Sequence, residues 1–473
     1  MKRITIEPVS RIEGHAKITI HLDEEGHVSN TEFHVTQVRG FEKFVEGRPF
    51  YEMPGITARI CGICPVSHLL ASAKACDAIM AVQITPTAKK LRELIHCAQF
   101  VQSHALSFFY LSAPDFLLGM DSDPATRNVL GVIARHPELA RDGIELRKFG
   151  LQLVEGLAQE RVHPSWVVAG GVSSPLSPVT RDRVLSELPG ARAIVQRTFR
   201  LFQAALDDYK EEIDHFGSLP TMHAGLVDSH GNLQLYDGNL RFRDADGAIL
   251  QDQIAAASYS DWIGEGSLKE SYLKAPYFKP KGFPQGAYRV GPLARLNVAD
   301  QCGTANADKE LRAFRTRFGA PAHSAFLYHY ARLIEIVYAL DRIEMLLSDK
   351  TILDKHVRAK ADVNANEGVG MIEAPRGVLI HHYKVNDDGA MVWANLIVAT
   401  GHNNLAIGRS VQQVAEHYVN GAKLEEGMLN RVSAVVRAYD PCLSCSTHAL
   451  GGVALRVQLV DSAGKLLDQL VSK

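Results

Sequence analysis

Two short cysteine pairs constrain this chain more than any other feature: Cys61-Gly62-Ile63-Cys64 near the beginning and Cys442-Leu443-Ser444-Cys445 near the end. A C-x-x-C turn directs two sulfurs to one point. Two such turns offer four soft ligands, suited to zinc, iron–sulfur or nickel rather than to hard cations. Zinc ribbons hold their pairs roughly 15–20 residues apart, whereas Cys61 and Cys442 are separated by 381 positions. A site joining both ends of a long chain is built by the whole fold, which suits a buried catalytic centre better than a local staple. The remaining cysteines, Cys76, Cys97 and Cys302, read as small buried hydrophobes. Seven in total, an odd number in a large chain, argues against a secreted disulfide framework.

The 473 residues, 46% of them hydrophobic, can bury a large core in one big unit or a few intimate ones. Lys and Arg number 51 against 53 Asp and Glu, which leaves no basic footprint for nucleic acid or an anionic membrane. Apolar runs such as Val392–Ala399 fall short of the ~20 residues a membrane helix needs. No apolar signal core follows Lys2-Arg3, so a cytoplasmic location is expected. Alternation over Ile4/Ile6, Ile18/Ile20/Leu22 and Val28–Val35 predicts strands. Helical periodicity covers Pro86–Leu111, Gly143–Arg161, Arg181–Phe216 (interrupted near Pro189-Gly190), His323–Leu347 and Ser410–Asn420. Strand-and-turn segments are expected over Thr221–Leu250 and Val378–Thr400. Gly264–Arg295, rich in Gly, Pro, Lys and aromatics, reads as a surface excursion. The expected fold class is mainly α with small β-sheets, an α+β arrangement with a multi-helix core.

The cysteine pairs sit in longer strings, Arg59-Ile60-Cys61-Gly62-Ile63-Cys64-Pro65-Val66-Ser67-His68 and Asp440-Pro441-Cys442-Leu443-Ser444-Cys445-Ser446-Thr447-His448. Three more strings accompany them: Arg11-Ile12-Glu13-Gly14-His15, Arg39-Gly40-Phe41-Glu42 and Glu373-Ala374-Pro375-Arg376-Gly377. Together, and in this order from residue 7 to residue 448, they resemble the large subunit of nickel-iron hydrogenases. The Cys-Pro-Val-Ser-His string and the one ending Thr-His-Ala-Leu-Gly are most similar to those of soluble, bidirectional, NAD-reducing enzymes.

The resemblance implies Cys61 and Cys442 as terminal nickel ligands and Cys64 and Cys445 as bridges from nickel to iron. It implies an iron carrying CO and two cyanides, with Pro375 and Arg376 beside these diatomics and Thr400 donating to a cyanide nitrogen. Arg376 would also help polarise H2, oriented by Asp115 and Asp440. His68 would hydrogen-bond a bridging sulfur, and Glu13 would be the first proton acceptor next to a terminal cysteine. Glu42 and His448 would hold a separate magnesium-like ion. The expected reaction is reversible heterolytic cleavage of H2. Residues 1–448 would form the catalytic unit and 449–473 a maturation propeptide, cut after His448 by a protease once nickel-insertion proteins have acted.

With no dinucleotide-binding glycine fingerprint and too few spare cysteines for iron–sulfur clusters, electrons have to leave through partners. The first would be an iron–sulfur small subunit, the second a flavin-containing, NAD-reducing diaphorase module. Two rival readings stand beside this one. A complex I-type electron-transfer scaffold lacks the four cysteines. A zinc-stabilised assembly protein would leave Glu13, Glu42 and Arg376 without a purpose. For His96, His104, His381, His382 and His402 no motif argues against ordinary core or surface roles.

Overall fold

Helix Pro65–Met80 begins at the residue after Cys64, with Pro65 in the first turn where its missing N–H costs nothing. Every residue of this helix except Lys74 and Ala78 is buried. Its small residues let strand Glu367–Ala374 lie directly against it. Gly368 and Gly370 of the strand abut the carbonyls of Ala75 and Ala71, where any Cβ would collide. This helix–strand contact anchors the first cysteine pair to the centre of the molecule. The computed structural model of the chain describes residues 2–419, 423–447, 456–460 and 466–471.

Long helices surround this centre and small sheets flank it, the α+β class that the sequence predicts. Helix Pro86–Ala105 is capped by Thr85, whose Oγ1 accepts from Ala88 N at 3.2 Å. It passes into a π-helical stretch, Leu106–Ser112, and then into helix Ala113–Leu118, which carries Asp115. Helices Pro137–Ala158 and Tyr328–Ser348 pack against it. Helix Pro178–Ala205 runs unbroken through Pro189, contrary to the interruption the sequence suggests. Pro189 and Gly190 lie on its exposed face, where water can satisfy the freed carbonyl, and the buried stripe Val184, Leu188, Ala191 and Val195 pins the helix.

Strands Lys2–Ile6, Ala16–Leu22 and Val28–Val35 form an antiparallel sheet. A second sheet orders Tyr288–Arg289, Met222–Val227, Asn239–Arg243 and Ile249–Ile254. The third pairs Glu367–Ala374, Gly377–Val385 and Met391–Ile397, with Met371 opposite Ile380 and His381 opposite Leu396. Strands Arg456–Val460 and Leu466–Val471 pair with each other. Gly264–Arg295 is not the surface excursion expected: it holds strands Ala275–Phe278 and Tyr288–Arg289 and leads into the buried helix Pro292–Val298. Among the described residues, no helix is long and apolar enough to cross a membrane. The boundary expected at 448/449 lies outside the described residues.

Candidate metal centre

Both cysteine pairs adjoin a short helical turn. Cys61 follows the 3-10 turn Ala58–Ile60, and the N–H groups of Ile63 and Cys64 converge on its sulfur at 3.4 and 3.1 Å. At the other end, helix Glu426–Tyr439 stops at Asp440, whose left-handed backbone (φ 53°) turns the chain toward Cys442. The N–H of Cys442 donates to Thr400 Oγ1 at 2.9 Å. The sulfurs of Cys61 and Cys64 lie 2.8 Å apart, those of Cys442 and Cys445 2.7 Å, and Cys61 and Cys442 meet at 3.5 Å. All four sulfurs fall within 4.8 Å of one another, and all four residues are buried.

Burial drives these thiols up, and Cys442 and Cys445 are held well above the ordinary thiol range. Burial also opposes ionisation of Cys61, but hydrogen bonds from Cys442, Cys445 and Cys64 outweigh it and hold Cys61 well below that range. Thiols that cannot all ionise alone, crowded at one point, suit soft metal ions that take their charge. Cys64, Cys442 and Cys445 share a cavity of about 10 Å³ with His68, Arg376, Thr400 and the apolar Ala374, Leu379 and Val398. That is room for little more than a water-sized group. Larger clefts, such as the open one of ≈ 530 Å³ lined by Arg192, Phe199 and Lys309, bring together no such ligands.

Arg376 lines the cavity and is held from behind. Its Nε donates to Asp440 O at 2.6 Å, Nη2 to Asp440 Oδ1 at 3.0 Å and Nη1 to Ser103 Oγ at 3.4 Å. Burial works against its charge, but Asp440 and the nearby sulfurs of Cys442, Cys64 and Cys61 hold it protonated. Pro375 is fixed by Arg295, which donates to its carbonyl and to that of Ala374, both at 2.9 Å. Arg295 also binds Glu335 twice, at 2.5 and 2.7 Å, and Glu373 at 2.7 Å, while His104 pairs with Glu335 at 2.7 Å. Sequence reasoning missed this buried support. Arg295 lay in a stretch read as surface, Glu373 was quoted without a role, and no spacing links either to Glu335.

Glu13 reaches the second cysteine pair. Its backbone bridges Cys442, its carbonyl accepts from Leu443 N at 3.1 Å, and its carboxylate accepts from the N–H of Ser444 at 3.2 Å and from the Ser444 hydroxyl. Gly14 makes this approach possible: at φ 84° a Cβ would lie 2.8 Å from Leu443 Cβ and 2.9 Å from Ser444 N. Asp115 departs from expectation. Its carboxylate pairs with Arg11, with Arg437 at 3.0 Å and with Asn430 at 3.2 Å, so Asp440 orients Arg376 and Asp115 does not. The π-helical turn before Asp115 aims it at the segment that carries Glu13, whose Arg11 also donates to Leu111 O at 2.5 Å.

His68 Nδ1 pairs with His381 Nε2 at 3.1 Å, and its Nε2 is buried with no partner among the described residues. Glu42 Oε1 accepts from Arg39 at 2.9 Å, while its Oε2 is buried and has no partner among the described residues. Arg39 Nε also donates to Thr447 O at 2.8 Å, at the edge of the described residues. His448, expected beside Glu42, lies outside them. Cys76, Cys97 and Cys302 are buried away from the cluster, and burial pushes each thiol up.

Residues 39–128 and 236–448 match the nickel-dependent hydrogenase family, and residues 3–38 match a HoxL-like family. The chain belongs to the nickel-dependent hydrogenases and is a large subunit of that class. It is 40% identical over 484 residues to NAD-reducing hydrogenase HoxS subunit beta of Cupriavidus necator, covering 99% of each chain. It is 42% identical over 476 residues to a chain of the F420-non-reducing hydrogenase vhc of Methanococcus voltae, covering 99% of this chain and 100% of the other. The crystal structure of an NAD+-reducing NiFe-hydrogenase in the H2-reduced state superposes with a TM-score of 0.92 at 45% identity, covering 95% of this chain and 100% of that one. The Ni-Fe-Se hydrogenase from D. vulgaris Hildenborough shares the fold, with a TM-score of 0.78 at 24% identity and coverage of 94% and 100%.

Proposed function

We propose that this chain is the H2-cleaving subunit of an NAD-reducing nickel-iron hydrogenase, and one observation carries the reading. Four buried sulfurs from opposite ends of the chain lie within 4.8 Å of one another beside a cavity roofed by Arg376 and Thr400. Cys61 and Cys442 would hold nickel, and Cys64 and Cys445 would hold nickel and iron jointly. Bound there, the two metals supply the Lewis acidity that polarises H2 and the redox capacity that takes up its electrons.

The chain's own groups do the rest. Arg376, locked by Asp440, places a fixed positive charge over the cavity at no cost of reorganisation. Thr400 Oγ1 already accepts from Cys442 N–H, so its own hydrogen is free to donate to a cyanide nitrogen. Ala374, Leu379 and Val398 keep water from the space CO and cyanide would fill. Glu13, already paired with Ser444 between Cys442 and Cys445, would receive the proton released from a cluster sulfur. The unpartnered Glu42 Oε2 supports a hard cation such as magnesium on that side, completed by His448.

An iron–sulfur small subunit would dock beside Cys61. The neighbouring groove is lined by Phe41, Phe44, Tyr51, Ile56 and Arg59, with Phe44 58% and Tyr51 60% exposed. A flavin-containing diaphorase module would then pass electrons to NAD. The C-terminal segment 449–473 would be a propeptide removed by a maturation protease after nickel-insertion proteins have acted. The similarity to F420-non-reducing hydrogenases favours a second reading, the same H2 chemistry feeding another acceptor. H2-dependent NAD reduction by the purified complex, absent in the isolated chain, supports the first; H2 oxidation with artificial dyes but none with NAD supports the second. Metal analysis tests the site itself. A nickel-to-iron ratio near one, with infrared bands of CO and cyanide, is expected; zinc alone would refute it.

A further inference from the structure

Nine arginines are buried among the described residues, and seven of them pair with a carboxylate. Arg289 and Arg332, both 0% exposed, have no carboxylate partner among the described residues. The two share one pair of rings. The Arg332 guanidinium lies 5.8 Å from the centre of the Tyr328 ring, and that of Arg289 lies 5.8 Å from the centre of the Tyr439 ring. The rings themselves are 5.0 Å apart at 45°. Tyr328 OH donates to Val290 O at 2.9 Å and Tyr439 OH meets Ser410 Oγ at 2.9 Å, which holds both in place.

Taking a cation out of water is costly unless an anion meets it, and these two rest on neutral groups. Arg332 Nη2 donates to Ala438 O at 2.7 Å, and Nη1 meets His329 Nδ1 at 3.5 Å. Arg289 Nη2 donates to Gly217 O at 2.6 Å and Nη1 donates to His323 O. The Nε of each is buried with no partner among the described residues. Ring faces and the carbonyls of a helix end carry partial charge only. The carboxylates whose field reaches Arg332 already hold other arginines: Asp440 holds Arg376, and Glu335 holds Arg295. Burial pushes Arg332 down to about 10, which leaves it protonated at neutral pH.

Both cations flank the approach to the second cysteine pair. Ala438, bonded by Arg332, and Tyr439, covered by Arg289, end helix Glu426–Tyr439, and Asp440, Pro441 and Cys442 follow directly. Arg376, which lines the metal cavity, repels Arg332. Like charges gathered beside a cavity gain stability once an anion occupies it. Four thiolates and two cyanides bring more negative charge than a nickel and an iron dication cancel, so a loaded site of this kind is a buried anion. We propose that Arg332 and Arg289 are its counter-charges, two buried cations left without carboxylates so that they offset the metal site. The inference rests on the nickel-iron reading above and extends it to two residues outside the cavity lining.

Infrared spectra of the purified, H2-reduced complex test it, with the CO and cyanide bands as probes. Arg332→Met keeps the long side chain and removes the charge, whereas Arg332→Lys keeps the charge and gives up the planar fork. With less positive charge nearby, more electron density reaches the diatomic ligands. The CO band and both cyanide bands of Arg332→Met should therefore move together to lower wavenumber. Arg289→Met should move them the same way, and the double variant further than either. Arg332→Lys should leave them at the wild-type positions. Unmoved bands in both Met variants would overturn the proposal. Equal shifts in Arg332→Met and Arg332→Lys would also overturn it, because they would assign the effect to the hydrogen bond at Ala438. If the Met variants fail to retain nickel, metal content decides: nickel kept in Arg332→Lys supports the counter-charge, and nickel lost there as well refutes it. Absence of CO and cyanide bands in the wild type would sink the nickel-iron reading itself; bands present but insensitive sink only the counter-charges.

Discussion

The two sides of the cysteine cluster are built from opposite materials. On one side stand charges: Glu13 on Ser444, Asp115 among Arg11 and Arg437, and Arg376 on Asp440, with Arg295 bound to Glu335 and Glu373 behind them. On the other side stand Cys76, Ser72, Tyr383, His381 and His68, all fully buried and none of them a carboxylate, lysine or arginine. Buried charge is costly unless each ion is paired, and here nearly every charge has a partner at 2.5–3.0 Å. Such an outlay makes sense where a proton has to leave. Glu13 is half-buried and Arg11 is partly exposed, so the charged side reaches toward solvent. The other side ends where Cys76 Sγ donates to the carbonyl of Phe50. On the proposed reading, the charged side is the one that moves protons.

The largest effect should fall on what both sides share. On the proposed reading, Cys445→Ala removes a ligand shared by nickel and iron. Nickel content should fall with H2 oxidation to background, which elemental analysis and a dye-reduction assay would show. Full nickel content in this variant would break the common floor of the comparison. Glu13→Gln comes next and isolates the charged side. Loss of a proton-transfer group costs about 10²–10⁴-fold in turnover, while nickel, iron and the infrared bands should stay at wild-type values. Tyr383→Phe, which removes the hydroxyl between His381 and Ser72, should do the reverse, moving bands with a smaller loss of turnover than Glu13→Gln. If both variants moved the same observable, the division between the sides would fail.

Asp115→Asn tests whether the charged side is also structural. It leaves Arg437 buried, and Arg11 half-buried, without their carboxylate, a loss of about 3–5 kcal/mol, measurable by denaturant unfolding of the complex. Burial pushes Asp115 up, but Arg437, Arg11 and Asn430 outweigh it and hold the carboxyl below 3.8. A depressed folded value means the stabilisation is fully present above the unfolded value and is lost only as pH falls through the folded one. From about pH 5 to about pH 8 the gap between wild type and Asp115→Asn should therefore stay flat. A gap that closes within that range would place the charge elsewhere.

These contrasts also mark how far the residues could be read in one dimension. The four cysteines, Arg376 with Asp440, and Glu13 beside Cys442 come together as their strings imply, because each string fixes a local turn and the fold only has to bring the turns together. Asp115 was legible as a buried carboxylate near the site, but its partner was not. Nothing in the sequence tells that Arg11 and Arg437 reach it first. Gly264–Arg295 looked like a surface loop because Gly, Pro and Lys usually mark one, yet Gly291 lies against the backbone of Arg376 and Arg295 is fully buried. Pro189 looked like a break because its effect on a helix depends on which face it occupies, and that is settled only by packing.

His381 and His382 give the smallest and sharpest comparison. Adjacent residues of strand Gly377–Val385 point to opposite faces, so identical side chains one position apart meet opposite surroundings. His381 faces helix Pro65–Met80 and bonds to His68 and Tyr383. His382 faces outward, pairs with Glu367 at 2.5 Å and shares a hydrogen with Tyr259 at 2.9 Å. Glu367 is half exposed, so that ion pair is worth at most about 1 kcal/mol. His382→Gln should lower stability by no more than that and leave the CO band in place. His381→Gln breaks a buried hydrogen-bonded row, costs about 1–3 kcal/mol and should move the band. Equal effects of the two substitutions on the band would show that the metal centre senses the sheet as a whole, and the His68 side would lose its claim to a separate role.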